Sequence, residues 1–265
     1  MNNIIFRMYK LFQHRNLRKD NIAKLKELNA GYETPPFKID EKNDIVTTRG
    51  EIKFDIRLIE PYIMLETFGL RIHDQMKIEG KGKTLVDAGS CFGDTPLYFA
   101  SKGCKVYALE PNPRNYKAML KNIDLNQNLK PNIIPINAAI GKDGDVEFTF
   151  DDTYIDGGGS AYLQKLGKRV KVKSFSLSGL MNKYGLNEID YLKMDCKGAE
   201  DLLTVTELKA IAECAKIEYT NTDGKRLEEL KKKLEAAGFK FKVYRHNPGD
   251  TSAISNHGTI LATKQ

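Results

Sequence analysis

The chain has 265 residues, 41% hydrophobic and 29% charged, with a net charge of +7, an ordinary soluble composition with room for one sizeable α/β domain plus an extension. No apolar run reaches transmembrane length. The N-terminal MNNIIFRMYKLFQHR has charges too early and an apolar stretch too short for a secretory signal, so the expected compartment is the cytoplasm.

Residues 1–80 read as an N-terminal helical extension that caps the main domain. Ile4, Ile5, Met8, Leu11 and Phe12 recur at helical spacing, as do Ile22, Leu25 and Leu28. Residues 1–30 hold seven Lys/Arg against two acids. A solvated helix face accounts for that excess without a partner; nucleic acid, anionic lipid or an acidic substrate are the other readings. GYETPPFKIDEKND is a breaker-rich connector, EIKFDIRL alternates like a short strand, and PYIMLETFGL follows as a helical turn or two.

The main domain, residues 81–265, opens with an apolar strand over Thr84–Ala88. The loop GSCFG follows, and a helix begins at Asp94. A second strand, KVYAL, leads into Glu110, 23 residues after Asp87. A strand, a glycine loop, a helix and a second strand ending in an acid form a βαβ unit for an adenosyl-type cofactor. The glycines let the backbone approach the ligand, and Glu110 can accept both ribose hydroxyls. A dinucleotide fingerprint needs glycine at the first, third and sixth loop positions, here Gly89, Cys91 and Asp94. Two of the three fail. Gly89 and Gly93 instead match a methyl-donor loop. S-adenosyl-L-methionine has no pyrophosphate, and its carboxylate can sit at the helix N-terminus, where free N–H groups point outward. A tight strand-to-helix turn with a solvated Glu110 is the bland alternative. The cofactor-binding candidates are Asp87, Gly89, Ser90, Cys91, Gly93, Asp94, Thr95, Glu110, Pro111, Asn112, Asn137 and Ala138.

Further along, Tyr116, Met119, Leu120 and Ile123 form one apolar helical face. A third strand covers about Ile133–Ala138. DVEFTF and RVKVKSF read as an inserted antiparallel pair. Strands over Tyr191–Asp195 and about Ala215–Tyr219, a charged helix over Lys225–Ala237, and FKFKVYRHN with GTILATK complete the domain. Alternating strands and helices imply a mostly parallel sheet, with ligands beyond the carboxyl ends of the strands. Cys91, Cys104, Cys196 and Cys214 have no zinc-ligand spacing and read as reduced thiols, and no metal site is expected.

From Lys83 onward the chain resembles the FkbM family of S-adenosylmethionine-dependent methyltransferases. The likeness is carried by VDAGSCFGDTPLYFA, LEPNP with NYKAMLKNIDLN, NAAIG with GKDG, GGSA, and SFSLSGL leading to IDYLKMDCKGAE. It implies a class I (Rossmann-like) α/β fold, a seven-stranded sheet with the last strand antiparallel, and O-methylation of a hydroxyl. It also implies that Asp87, Gly89 and Gly93 line the methionine end, that Glu110 holds the ribose, and that Asn137–Ala138 lie near the adenine. Two departures stand out. The acid of the family's D-x-E-G-x-E is Lys197 here, and its acidic pair after T-L is Ser178 and Gly179.

Methyl transfer needs mainly alignment of the reactants, and a hydroxyl acceptor also needs a base. Asp195, ending the fourth strand, is the candidate base, with a helix N-cap as its bland reading. Glu218, ending the fifth strand, is the candidate partner. His246 and His257 belong to the rim, and Gly157–Gly159 to a lid or a plain hairpin tip. The expected acceptor is the hydroxyl of a small molecule, glycan or lipid headgroup. A non-catalytic cofactor-binding scaffold and an RNA methyltransferase are the alternatives.

Overall fold

The computed structural model describes residues 17–155, 157–163, 167–220, 225–245 and 257–264. The expected helical stripe over residues 1–16 and the rim residue His246 lie outside them.

Helix α1 (Leu17–Ala30) buries Ile22 and Leu25, and the Asn21 side chain donates to the carbonyls of Ile56 (2.7 Å) and Ile59 (3.2 Å). Three short strands follow: β1 (Phe37–Asp40), β2 (Ile45–Thr48) and β3 (Lys53–Asp55), paired antiparallel in that order. The connector is therefore largely a hairpin. Asp40 accepts the backbone N–H groups of Lys42 and Asn43 and so closes the turn into β2. A strand signal this short is hidden among its turn residues. The extension thus combines helices with a small sheet. Helix α2 (Pro61–Met64) runs into a π-helical turn over Leu65–Gly69.

The large sheet comprises β4 (Thr84–Ala88), β5 (Lys105–Leu109), β6 (Ile133–Ile136), β10 (Ile189–Asp195), β11 (Ile211–Thr220), β12 (Phe239–Tyr244) and β13 (His257–Lys264). Its seven strands run in the order β12-β13-β11-β10-β4-β5-β6, with β13 antiparallel to both neighbours and the other neighbouring pairs parallel. This is the seven-stranded sheet with one antiparallel strand that the family resemblance implies. Helices α3 (Asp94–Ser101) and α4 (Pro113–Asp124) connect β4 to β5 and β5 to β6.

The insertion is a three-stranded sheet. β8 (Gly144–Phe150) and β9 (Lys168–Phe175) are antiparallel as expected, and β7 (Ala139–Ile140) adds parallel to β9. The chain leaves the large sheet at Ile136 and joins the small one three residues later. Helices α5 (Leu177–Tyr184), α6 (Val205–Lys209) and α7 (Lys225–Ala236) complete the order.

Alternation along the central strands sorts the side chains into two cores. Leu85, Val106, Ala108, Tyr191 and Cys214 face α3, α4 and the extension, while Val86, Tyr107, Leu192, Ala215 and Ile217 face the opposite layer, which includes Leu180, Leu208 and Leu230. By the same alternation Asp87, Lys193, Lys216, Asp195 and Glu218 belong to the extension side. The register aligns Asp87, Lys193 and Lys216 in one row, and Asp195 with Glu218 in the next.

The extension is tied to α4 and the turn after it by two asparagines. Asn126 exchanges hydrogen bonds with the backbone of Lys53, at 2.9 and 2.8 Å. Asn122 accepts the Asp55 N–H at 3.0 Å and donates to the Phe92 carbonyl in the glycine loop at 2.9 Å.

Candidate functional site

A cavity opens at the carboxyl ends of β4, β10 and β11. Gly89, Cys91, Asp94, Thr95, Glu110, Pro111 and Ala138 line it, together with Asp195 and Glu218. The remaining sequence candidates stand behind this wall. Asp87, fully buried, accepts from the Thr95 hydroxyl at 2.5 Å and lies 3.1 Å from the Lys193 ammonium. The Ser90 hydroxyl donates to the Asp87 carbonyl at 3.0 Å, and Gly93 turns the chain into α3 with φ of +93°. Asn112 caps α4 through the Arg114 N–H, and the Asn137 amide donates to the Glu110 carbonyl at 2.8 Å.

Glu110 is buried, and each of its carboxylate oxygens accepts one backbone N–H: Asn112 on one, Cys91 on the other, both at 2.8 Å. A carboxylate oxygen has two lone pairs, so each retains one for a further donor. Burial pushes this carboxyl up to about 8, against the two N–H donors and Lys193. Burial likewise pushes Asp94 up to about 7, although Lys193 and the Thr67 hydroxyl (2.7 Å) oppose it. A buried acid with spare acceptor capacity, beside a glycine loop, fits a vicinal diol such as the ribose of an adenosyl group.

At the other end of the cavity Lys197 bridges two carboxylates, Asp195 Oδ1 at 2.7 Å and Glu218 Oε1 at 2.5 Å. Asp195 ends its strand and does not cap a helix; the next turn, Glu200–Leu202, has Ala199 at its N-terminus without a side-chain cap. Burial works to raise the Asp195 carboxyl, but Lys197 and Lys193 outweigh it and hold it below the ordinary carboxylate range. Lys197 is held as an ammonium because both carboxylates overcome its burial. It adopts a left-handed φ of +46°. Ser160, from the insertion, donates to the Lys197 carbonyl at 2.8 Å and accepts the N–H groups of Tyr162 and Leu163. His257 lies 3.7 Å from Glu218 at the exposed rim. Gly157 and Gly159 line the cavity on the insertion side. Among the described residues no cluster of His, Cys, Asp and Glu could hold a metal ion.

Sequence reasoning missed Glu66, Thr67, His73, Lys193 and Lys216, all of which line the cavity. Two of them carried a usable signal. Lys193 and Lys216 each precede a candidate acid by two residues in the same strand and so share its face.

The FkbM methyltransferase domain model matches residues 87–241. The chain belongs to the FkbM methyltransferase family, and its cofactor is S-adenosyl-L-methionine. A comparison with curated proteins finds no match. Among solved structures, precorrin-6y C5,15-methyltransferase from Geobacter metallireducens is similar at 11% identity and a TM-score of 0.45, covering 87% of this chain and 99% of its own. Magnesium protoporphyrin IX methyltransferase from Synechocystis PCC 6803, with bound SAM, is similar at 8% identity and a TM-score of 0.42, covering 77% of this chain and 81% of its own. Among the described residues no helix is long and apolar enough to cross a membrane.

Proposed function

We propose that this methyltransferase O-methylates a hydroxyl of a small molecule, glycan or lipid headgroup. The observation that carries the reading is the Asp195–Lys197–Glu218 cluster, whose two carboxylates line the same cavity as Glu110 and the glycine loop. A charged acceptor end suits a polar group that must be oriented by hydrogen bonds.

S-adenosylmethionine supplies a methyl group on a positively charged sulfur, open to in-line displacement. Glu110 accepts the ribose hydroxyls on its two spare lone pairs, and these two donors favour its ionised form. Gly89 and Cys91 bring the backbone against the methionine part, and Thr95 and Lys193 hold Asp87 beneath it. Ala138 and Pro111 supply the apolar wall for the base. Asp195, ionised through Lys197, accepts a hydrogen bond from the acceptor hydroxyl, and Glu218 keeps Lys197 in place. Alignment of this kind contributes most of the acceleration in a displacement reaction.

Residues 17–80 act in this scheme as a cap over the acceptor end, since Ile63, Glu66, Thr67, Ile72 and His73 close the cavity from that side. The test is release of S-adenosylhomocysteine in the presence of a panel of hydroxyl compounds, including sugars and glycerol-based headgroups. Turnover on RNA alone moves the acceptor to nucleic acid. Tight cofactor binding without turnover on either leaves a cofactor-binding scaffold.

A further inference from the structure

We propose that Lys216 is the proton acceptor for the hydroxyl that this enzyme methylates. The inference rests on the O-methylation reading and assigns its base to a residue outside the acidic pair.

Lys193 and Lys216 line the cavity, Lys197 stands behind its two carboxylates, and their surroundings separate the three. Lys193 contacts Asp87 at 3.1 Å, and Lys197 contacts Asp195 and Glu218. Both are held as ammonium ions, because the carboxylates outweigh burial. Lys216 forms no ion pair among the described residues. Its amine donates to the neutral carbonyl of Ile72 at 2.7 Å, and the residue is 7% exposed. It lies beside Lys193 in the cross-strand register and two residues before Glu218, on the same face and in the wall of the same cavity.

Every group around Lys216 bears on its protonation. Burial and the neighbouring Lys193 favour the neutral amine and bring it down to about 8; Glu218, Glu66 and Asp195 pull the other way without restoring its ordinary 10.5. His73, buried on the extension side, is kept neutral by burial and by Lys216 and Lys193. Asp195 offers weaker basicity, since it sits below the ordinary carboxylate range. When neighbouring titratable groups are pushed apart in this way, the acid and base roles divide between them.

A neutral Lys216 uses one N–H on the Ile72 carbonyl and keeps its lone pair. That lone pair takes the hydroxyl proton as the acceptor oxygen bonds to the methyl carbon. The carbon–sulfur bond breaks, and its electron pair stays on sulfur as a thioether. Lys216 becomes an ammonium and later releases the proton to water. Electrons and atoms balance without a further reactant.

The experiment uses full-length enzyme carrying carbon-13 at the lysine ε positions, titrated by NMR with S-adenosylhomocysteine bound. One ε-carbon resonance is expected to titrate near pH 8 and to be missing from Lys216→Met. If the resonance lost in that variant titrates above pH 10, the proposal is overturned. Calorimetry with S-adenosylhomocysteine is expected to give the variant an affinity within threefold of the wild type. A loss beyond thirtyfold makes Lys216 an anchor for the cofactor carboxylate and overturns its role as base. On any hydroxyl compound that is turned over, Lys216→Met should lower kcat about a hundredfold with little change in KM, the scale of a lost general base. Lys216→Arg should not rescue it, since a guanidinium does not deprotonate. Wild-type turnover in Lys216→Met overturns the assignment alone, and a panel without turnover overturns the O-methylation reading and the assignment with it. Lys216→Gln replaces the Met variant if the latter does not fold.

Discussion

Gly89 and Asp195 meet backbone to backbone: a Cβ on Gly89 would stand 2.2 Å from the Asp195 carbonyl oxygen, and Gly89 has φ of +85°. The neighbour is main chain, so it cannot swing aside as a flexible side chain would. The ends of β4 and β10 are held side by side because one of them has no side chain. Gly89→Ala must therefore separate the donor loop from the acceptor cluster and also strain a left-handed backbone. Its expected outcome is a loss of cofactor affinity of tenfold or more, about 1.4 kcal/mol, with a lowered melting temperature. Calorimetry and thermal unfolding check it.

Glu110 gives stability a defined pH dependence. Its folded value of about 8 and that of Asp94 near 7 lie above the ordinary 4.5 and 3.8. Each is protonated in the folded chain where the unfolded chain has ionised. Their contribution to stability is full below the unfolded values and is lost as the pH rises through 7 and 8. Lys216, lowered to about 8 from 10.5, has the opposite sign: its contribution is present above 10.5 and lost as the pH falls through 8. Cofactor-free protein should be least stable near pH 8 between these limits, and Glu110→Gln should flatten the acid-side slope. Melting temperatures across that range check both. Glu110→Ala should weaken cofactor binding by about 1–3 kcal/mol, the cost of an unmet buried partner.

Asp195→Asn should keep the fold and most of the cofactor affinity. It should lower turnover by roughly tenfold, the scale of one charge-assisted hydrogen bond, and leave the pH profile of the reaction in place. A hundredfold loss with a displaced profile would make Asp195 the base and leave Lys216 without that role. Steady-state kinetics over pH separate the two.

Asn122 joins the extension to the donor loop, so its loss should be felt in both. Asn122→Ala strands the Asp55 N–H and the Phe92 carbonyl, each at about 1–3 kcal/mol when buried. Denaturant unfolding should show a destabilisation of that order, with weaker cofactor binding. Removal of residues 17–30 should cost more, because Ile22 and Leu25 are buried in the core shared with α3 and α4.

The proposed donor half of the site is legible in the sequence because it is local. Asp87 to Thr95 and Glu110 belong to one βαβ unit, and a fixed turn geometry holds them together. The mostly parallel character of the large sheet follows from alternating strands and helices, while its seven strands with the last antiparallel come from the family resemblance. The proposed acceptor half is assembled from distant stretches. Glu66 comes from a π-helical turn, Lys193 and Lys216 from neighbouring strands, and Phe148 from the insertion. Two-residue spacing puts Lys193 and Lys216 on the faces of Asp195 and Glu218, but no spacing rule joins the two strands to each other, to Glu66 or to Phe148, since those meetings are fixed by tertiary packing. The hairpin of β1 and β2 is hidden differently, because its turn chemistry dominates a composition with only four residues per strand.

The Ser160 contact with the Lys197 carbonyl has a consequence for how acceptor preference can change. The same insertion that walls the cavity also steadies the turn carrying the ammonium between Asp195 and Glu218. Gly198, next in that turn, has φ of +108° and space for a Cβ only at 3.2 Å from Leu163 and Tyr162. Exchanging the hairpin for another would alter the shape of the entrance and the placement of charge in one step. Shape selectivity and ionic character are in this way inherited as a pair, while the strand-and-loop unit around Glu110 can stay unchanged beneath them.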